Sequence, residues 1–159
     1  MTTIREFDYS RDSAALRDCF IELQNSERQL NPGKPEGSTM VEAYLSWMFA
    51  HCREWDGRVF VAEVKGQVIG FVCVWARVPP SELDEDPAEY ALVSDLVVSA
   101  AYRRRGIGRQ LLSVAERFAR AQGAPSLRIG VSAGNAAARR LYEWVSFQEY
   151  RIELAKRLT

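Results

Sequence analysis

The stretch from Tyr90 to Val131 constrains the fold more than any other. "YALVSDLVV" reads as a valine-rich strand, and an arginine- and glycine-rich turn follows it. From Gly106 onward Ile107, Leu111, Val114, Ala115 and Phe118 share one helix face, Gly123 and Pro125 end that helix, and "SLRIGV" is again a strand. Strand, helix and strand in such short succession form a right-handed crossover, which lays the two strands parallel in one sheet.

The other elements attach to that unit. Thr3 to Phe7 reads as a short strand, and residues 11–30 carry Ala15, Leu16, Cys19, Phe20 and Leu23 on one helix face, with Asp12 or Ser13 as its cap. "NPGKPEGS" is a surface loop. Thr39 and Glu42 then make a capping box for a second helix, whose inner side carries Val41, Tyr44, Leu45, Met48, Cys52 and Trp55. "RVFVAEV" and "VIGFVCVWARV", joined by "KGQ", form a hairpin. "PPSELDEDPAE" is an acidic loop, Asn135 opens a short helix with Ala138, Leu141, Tyr142 and Val145 inward, and "FQEYRIELAKRL" is expected as a final strand.

The 159 residues suffice for one domain, spanning 1–159, built as a mixed sheet flanked by helices, of α/β or α+β type. With 21 basic and 21 acidic residues, the chain has no overall field to hold nucleic acid or an anionic membrane, so any basic site is local. Its three cysteines are odd in number and lie in apolar segments, which suits free thiols in a reducing compartment. No leader and no apolar membrane span are visible, and a cytoplasmic location is expected.

"YRRRGIGRQLL" concentrates positive charge at the start of a helix, where unpaired N–H groups and the helix dipole already favour an anion. Gly106 and Gly108 allow close backbone approach, and the arginines add forked donors for phosphate oxygens. A dinucleotide site would need a third glycine where Leu111 stands and an acid closing the next strand. An ATP-type phosphate loop would need a Gly-Lys-Ser or Gly-Lys-Thr ending, which "GIGRQ" lacks.

What remains is R-x-x-G-x-G at Arg103, Gly106 and Gly108, followed by "NAAARRLYEWVSF" with Asn135, Ala138, Leu141, Tyr142, Glu143 and Phe147 in register. In these two motifs the chain resembles the GNAT superfamily of N-acetyltransferases. The resemblance implies a mostly antiparallel central sheet of 6–7 strands with about four helices, in which parallel strands 4 and 5 splay apart. It implies acetyl-CoA as co-substrate, no metal, and acetyl transfer to a primary amine of a small molecule or peptide by direct attack through a tetrahedral intermediate.

Residue by residue, the resemblance puts the pantetheine arm along Leu96, Val97 and Val98, with one of their N–H groups as oxyanion donor. The pyrophosphate falls to Arg103, Arg104, Arg105, Gly106, Ile107, Gly108 and Arg109, with Asn135 and Ala138 beside the arm, and Tyr142 becomes the general acid. Two positions depart from the pattern. Ser146 takes a usual glycine position, at a cost in turn strain, and Ser94 stands where some polyamine-acetylating relatives carry a glutamate base. Asp95, then Glu89, then a water chain are the base candidates.

Dimers are common in the family, so a homodimer is left open, while neither nucleic acid nor membrane is expected as a partner. The alternatives are a non-catalytic acyl-CoA-binding module and, more distantly, a serine esterase using Ser132 of "GVSAG". The esterase would need a histidine after its serine, and the sole histidine, His51, precedes it.

Overall fold

A computed structural model describes residues 1–159. The chain runs β1 (Thr2–Glu6), α1 (Tyr9–Leu30), α2 (Gly37–Glu54), β2 (Arg58–Val64), β3 (Gln67–Val78), β4 (Tyr90–Val98), a 3-10 turn (Ala100–Tyr102), α3 (Ile107–Ala121), β5 (Leu127–Ile129) and α4 (Ala136–Trp144). The strands make one sheet in the order β1-β2-β3-β4-β5. Its first three pairings are antiparallel and the last, β4 with β5, is parallel, as the crossover requires.

The sheet has five strands rather than the expected 6–7. The missing one is the C-terminal segment, where residues 148–159 are exposed and form no ladder. Tyr150, Ile152 and Leu154 alternate as a strand would, but alternation does not make a strand unless an edge satisfies the backbone groups. Side chains alone tie the segment down: the Arg128 guanidinium lies 4.6 Å from the centre of the Tyr150 ring, Glu149 pairs with Arg139 at 2.9 Å and Arg151 with Glu85 at 3.8 Å.

Two expected caps also differ. Asp8 caps α1, accepting from the Ser10 N–H at 3.0 Å, because Asp12 is drawn to Arg5 by two bonds of 2.7 and 2.9 Å. In α2 the chain turns helical already at Gly37, pulled by a bond from its N–H to Asn25 Oδ1 at 2.9 Å, and Glu42 pairs with Arg17 instead of closing a box.

Each sheet face carries its own core. Phe71, Cys73, Trp75 and Val97 pack with Leu16 and Phe20 of α1 and Val41 and Met48 of α2. On the opposite face Val72, Val74 and Val93 meet Ile107, Leu111 and Ala115 of α3, with α4 alongside through Leu141 and Tyr142. The β2–β3 hairpin closes through Lys65 and Gly66, both in the left-handed region.

Ser146, just past α4, has φ +73°. That conformation costs a residue with a side chain about 1–2 kcal/mol, and a glycine there would surrender about 0.4–1 kcal/mol of it to extra freedom in the unfolded chain. Ser146→Gly is therefore expected to raise Tm by roughly 1–3 °C in thermal unfolding. A Tm equal to or below wild type would show that the turn is not strained.

Candidate functional site

β4 is not a regular strand. Cys73 pairs with Asp95 and Val74 with Val93, so Ser94 is an extra residue bulged out of the β3–β4 ladder. A one-residue insertion reverses which face the following side chains take: Val93 packs under α3, whereas Val97 packs under α1 and α2. The same residue marks the end of parallel pairing, since β5 follows β4 through Ala91, Leu92 and Val93 and no further. Beyond Val93 the two strands part.

The parting opens a cavity of about 380 Å³. Val93, Ser94, Asp95 and Leu96 line one wall, Ile129 to Ser132 another, Phe20, Gln24 and Glu27 of α1 a third, and Lys34, Tyr44 and Tyr142 complete it. Of the residues expected at the site, Asp95, Leu96 and Tyr142 converge here. Glu89 does not: it lies in a separate surface depression with Trp55 and Pro79, paired to Arg77 at 3.3 Å.

Asp95 is a carboxyl group sunk in the core, 7% exposed. The Tyr44 hydroxyl donates to it at 2.9 Å, and the Ser94 hydroxyl lies 3.0 Å from its Oδ2. Burial raises its pKa to about 7; the two hydroxyls oppose the rise and Glu27 adds to it. A carboxyl poised near neutrality with a cavity before it is placed to accept a proton. Tyr44, itself stacked on Phe20 at 4.4 Å, was not recognisable from the sequence as a partner, because it sits on an ordinary apolar helix stripe.

Tyr142 is pushed up to about 12, first by burial and then by Glu27, so it remains protonated across the neutral range. The turn entering α3 combines Arg104 at φ +63° with Gly106 at φ +78°, where a Cβ on Gly106 would meet open space. Gly106 offers α3 no side-chain cap, and no acid lies in the first turn, so no side chain of the chain itself satisfies the leading N–H groups. Gly108 also has a packing role: a Cβ there would come within 3.2 Å of Leu141 Cδ2 and 3.9 Å of Val98 Cγ2. It lets α3 sit close to both β4 and α4.

The arginines are partly engaged. Arg103 donates from Nε to the Val98 carbonyl at 3.0 Å, Arg105 lies over Tyr102, and Arg109 lies over Trp144 at 4.7 Å. Asn135 caps α4, accepting from the Ala138 N–H at 3.1 Å, so each satisfies the other. Val97 contributes its side chain to the core, and its backbone lies on the stretch of β4 that β5 has left. Ser132 lines the cavity, but His51, in the last turn of α2, is stacked on Trp55 at 4.1 Å and does not join it.

The model of the acetyltransferase (GNAT) family matches residues 18–147. An uncharacterized N-acetyltransferase of Bacillus subtilis is 32% identical over 91 residues, 57% of this chain and 54% of that protein, so the chain spans about half the length of that relative. An N-alpha-acetyltransferase of Sulfurisphaera tokodaii is 30% identical over 115 residues, 70% of this chain and 69% of that protein. Among solved structures, AAC(6')-Iy in complex with a bisubstrate analogue, CoA-S-monomethyl-acetylneamine, superposes with a TM-score of 0.69 at 20% identity, covering 100% of this chain and 99% of that one. At that identity the likeness is one of fold.

Burial of Asp95 has a consequence for stability. The unfolded chain releases its proton near 3.8 and the folded one near 7. Folding thus favours the protonated form, and its contribution is full below about 3.8, is lost as pH rises to about 7, and is flat above. Urea unfolding of wild type and Asp95→Asn at about pH 5 and about pH 8 should show the wild type losing ground to the variant at the higher pH. Parallel pH dependences would mean that Asp95 is ionised throughout.

Proposed function

The chain belongs to the GNAT family of acetyltransferases, and from that premise we propose that it transfers the acetyl group of acetyl-CoA to a primary amine. The observation that carries this reading is the convergence of three features. Parted parallel strands form a cavity wall, a buried carboxyl near neutrality and a protonated tyrosine face that cavity, and an uncapped helix start lies next along the chain from β4. Gly108 joins them physically, packing against Val98 at the end of β4 and against Leu141, the neighbour of Tyr142.

In this reading the pyrophosphate rests on the N–H groups of Ile107, Gly108 and Arg109, with Arg104 as the nearest arginine not already engaged in a side-chain contact. Arg103, Arg105 and Arg109 shape the turn and add field. The pantetheine arm follows the edge of β4 from Val98 to Leu96, taking the place β5 has vacated, with one N–H there meeting the thioester oxygen.

The acceptor arrives as an ammonium of pKa about 10.4 and gives its proton to the Asp95 carboxylate. The freed nitrogen attacks the thioester carbon, the carbonyl electrons move to oxygen, and collapse of the tetrahedral intermediate expels the CoA thiolate, while the second proton of the nitrogen passes through water to that sulphur or to solvent and leaves a neutral amide. Tyr142 donates a hydrogen bond to the leaving sulphur. Because its pKa of about 12 exceeds that of an ordinary thiol, near ~8.5, full transfer of its proton is uphill, so it acts more by stabilising the thiolate than by surrendering its own proton.

The reading is tested by thiol release from acetyl-CoA with a panel of amines. Tyr142→Phe should lower kcat by roughly 10²-fold with acetyl-CoA binding retained, and turnover equal to wild type would remove it from the leaving-group role. The kcat/KM profile of wild type should climb with pH through about 7, and Asp95→Asn should lose that limb while keeping the limb of the amine itself. Arg104→Glu should weaken CoA binding by at least roughly tenfold in calorimetry. Unchanged affinity would move the diphosphate elsewhere.

A further inference from the structure

Two acids line the cavity, Asp95 and Glu27, and one cation, Lys34. Lys34 Nζ lies 2.6 Å from Glu27 Oε2, both side chains about one-third exposed. Glu27 is on the α1 face that also presents Phe20, Leu23 and Gln24 to the cavity, and it is near enough to push the pKa values of Asp95 and Tyr142 upward. An ammonium on a flexible four-carbon stem is therefore already seated beside the groups that would handle the acceptor.

This pair is not what holds the loop between α1 and α2. Arg28 Nε donates to the Lys34 carbonyl at 2.8 Å, Gln24 Nε2, on a residue 7% exposed, donates to the Pro35 carbonyl at 3.0 Å, and the Gly37 N–H donates to Asn25 at 2.9 Å. The backbone around Lys34 is pinned without its side chain. The ammonium can leave Glu27 with the loop in place.

We propose that Glu27 is the seat for a second positive charge on the acceptor, and that Lys34 is an internal occupant of that seat which the acceptor displaces. The acceptor is then a diamine-like molecule, one nitrogen attacking near Asp95 and the other ion-paired to Glu27. Lys34 competes with it and keeps the acidic cavity neutralised when no acceptor is bound. The inference rests on the acetyl-transfer reading for the fate of the attacking nitrogen, but the seat itself is tested by binding alone.

The test is calorimetric titration of the full chain, with and without CoA, by 1,4-diaminobutane and by butylamine, using wild type, Lys34→Met and Glu27→Gln. Lys34→Met should bind the diamine roughly fivefold more tightly, the scale of one ion pair about one-third exposed, with butylamine little changed. Glu27→Gln should weaken the diamine by roughly tenfold and abolish its advantage over butylamine. Melting temperatures of the variants separate a lost seat from a lost fold. A wild type that binds no diamine, or a diamine affinity indifferent to both substitutions in folded protein, overturns the proposal. If the substitutions act as expected yet CoA neither binds nor releases thiol, the seat stands and the acetyl-transfer reading falls.

Discussion

The site depends on one extra residue in one strand. Without the bulge at Ser94, Asp95 would keep the phase of Val93 and point beneath α3, into an apolar layer with no hydroxyl partner. With it, the carboxyl turns to the α1 and α2 side, where Tyr44 is waiting, and β4 bends away just as β5 stops pairing. Cavity, carboxyl and free strand edge thus share a single cause.

That arrangement is costly and is held by its surroundings. A buried carboxyl must be hydrogen-bonded or protonated, and Asp95 is both partnered and raised to about 7, which places its charge change in the working range. The two cores on either side of the sheet supply the rigidity. Phe71, Cys73 and Val97 fix β3 and β4 against α1 and α2, while Ile107 and Leu111 anchor the first turns of α3 so that its N–H groups stay aimed.

Much of this was legible in the sequence because local rules decided it. The crossover, the Lys65–Gly66 hairpin, the Gly106 start of α3 and the Asn135 cap all rest on residues a few positions apart. The misreadings have one character: a distant partner decided. Asp12 lies inside α1, where it holds Arg5 of β1 and also accepts the Asp8 N–H, Gly37 is drawn into α2 by Asn25, and residues 148–159 alternate as a strand yet find no edge. Asp95 was readable as a candidate but its burial, its Tyr44 partner and the bulge were not, since nothing in "LVSDLVV" marks Ser94 as unpaired. Glu89 ranked behind Asp95 as a base, and the fold sets it just ahead of β4, paired with Arg77 in the depression beside Trp55. The packing of Gly108 against Leu141 was not readable from its motif, because Leu141 lies far along the chain.

In the proposed enzyme the vacated edge of β4 and the leading amides of α3 form a continuous seat for the arm and diphosphate of acetyl-CoA. Amide chemical shifts of uniformly labelled protein, followed while CoA is added, test it residue by residue. The largest changes are expected at Leu96 to Val98 and at Gly106 to Arg109, with the outer strands β1 and β2 quiet. Shifts confined to the Trp55–Arg77–Glu89 depression, or to neither stretch at saturating CoA, would contradict it.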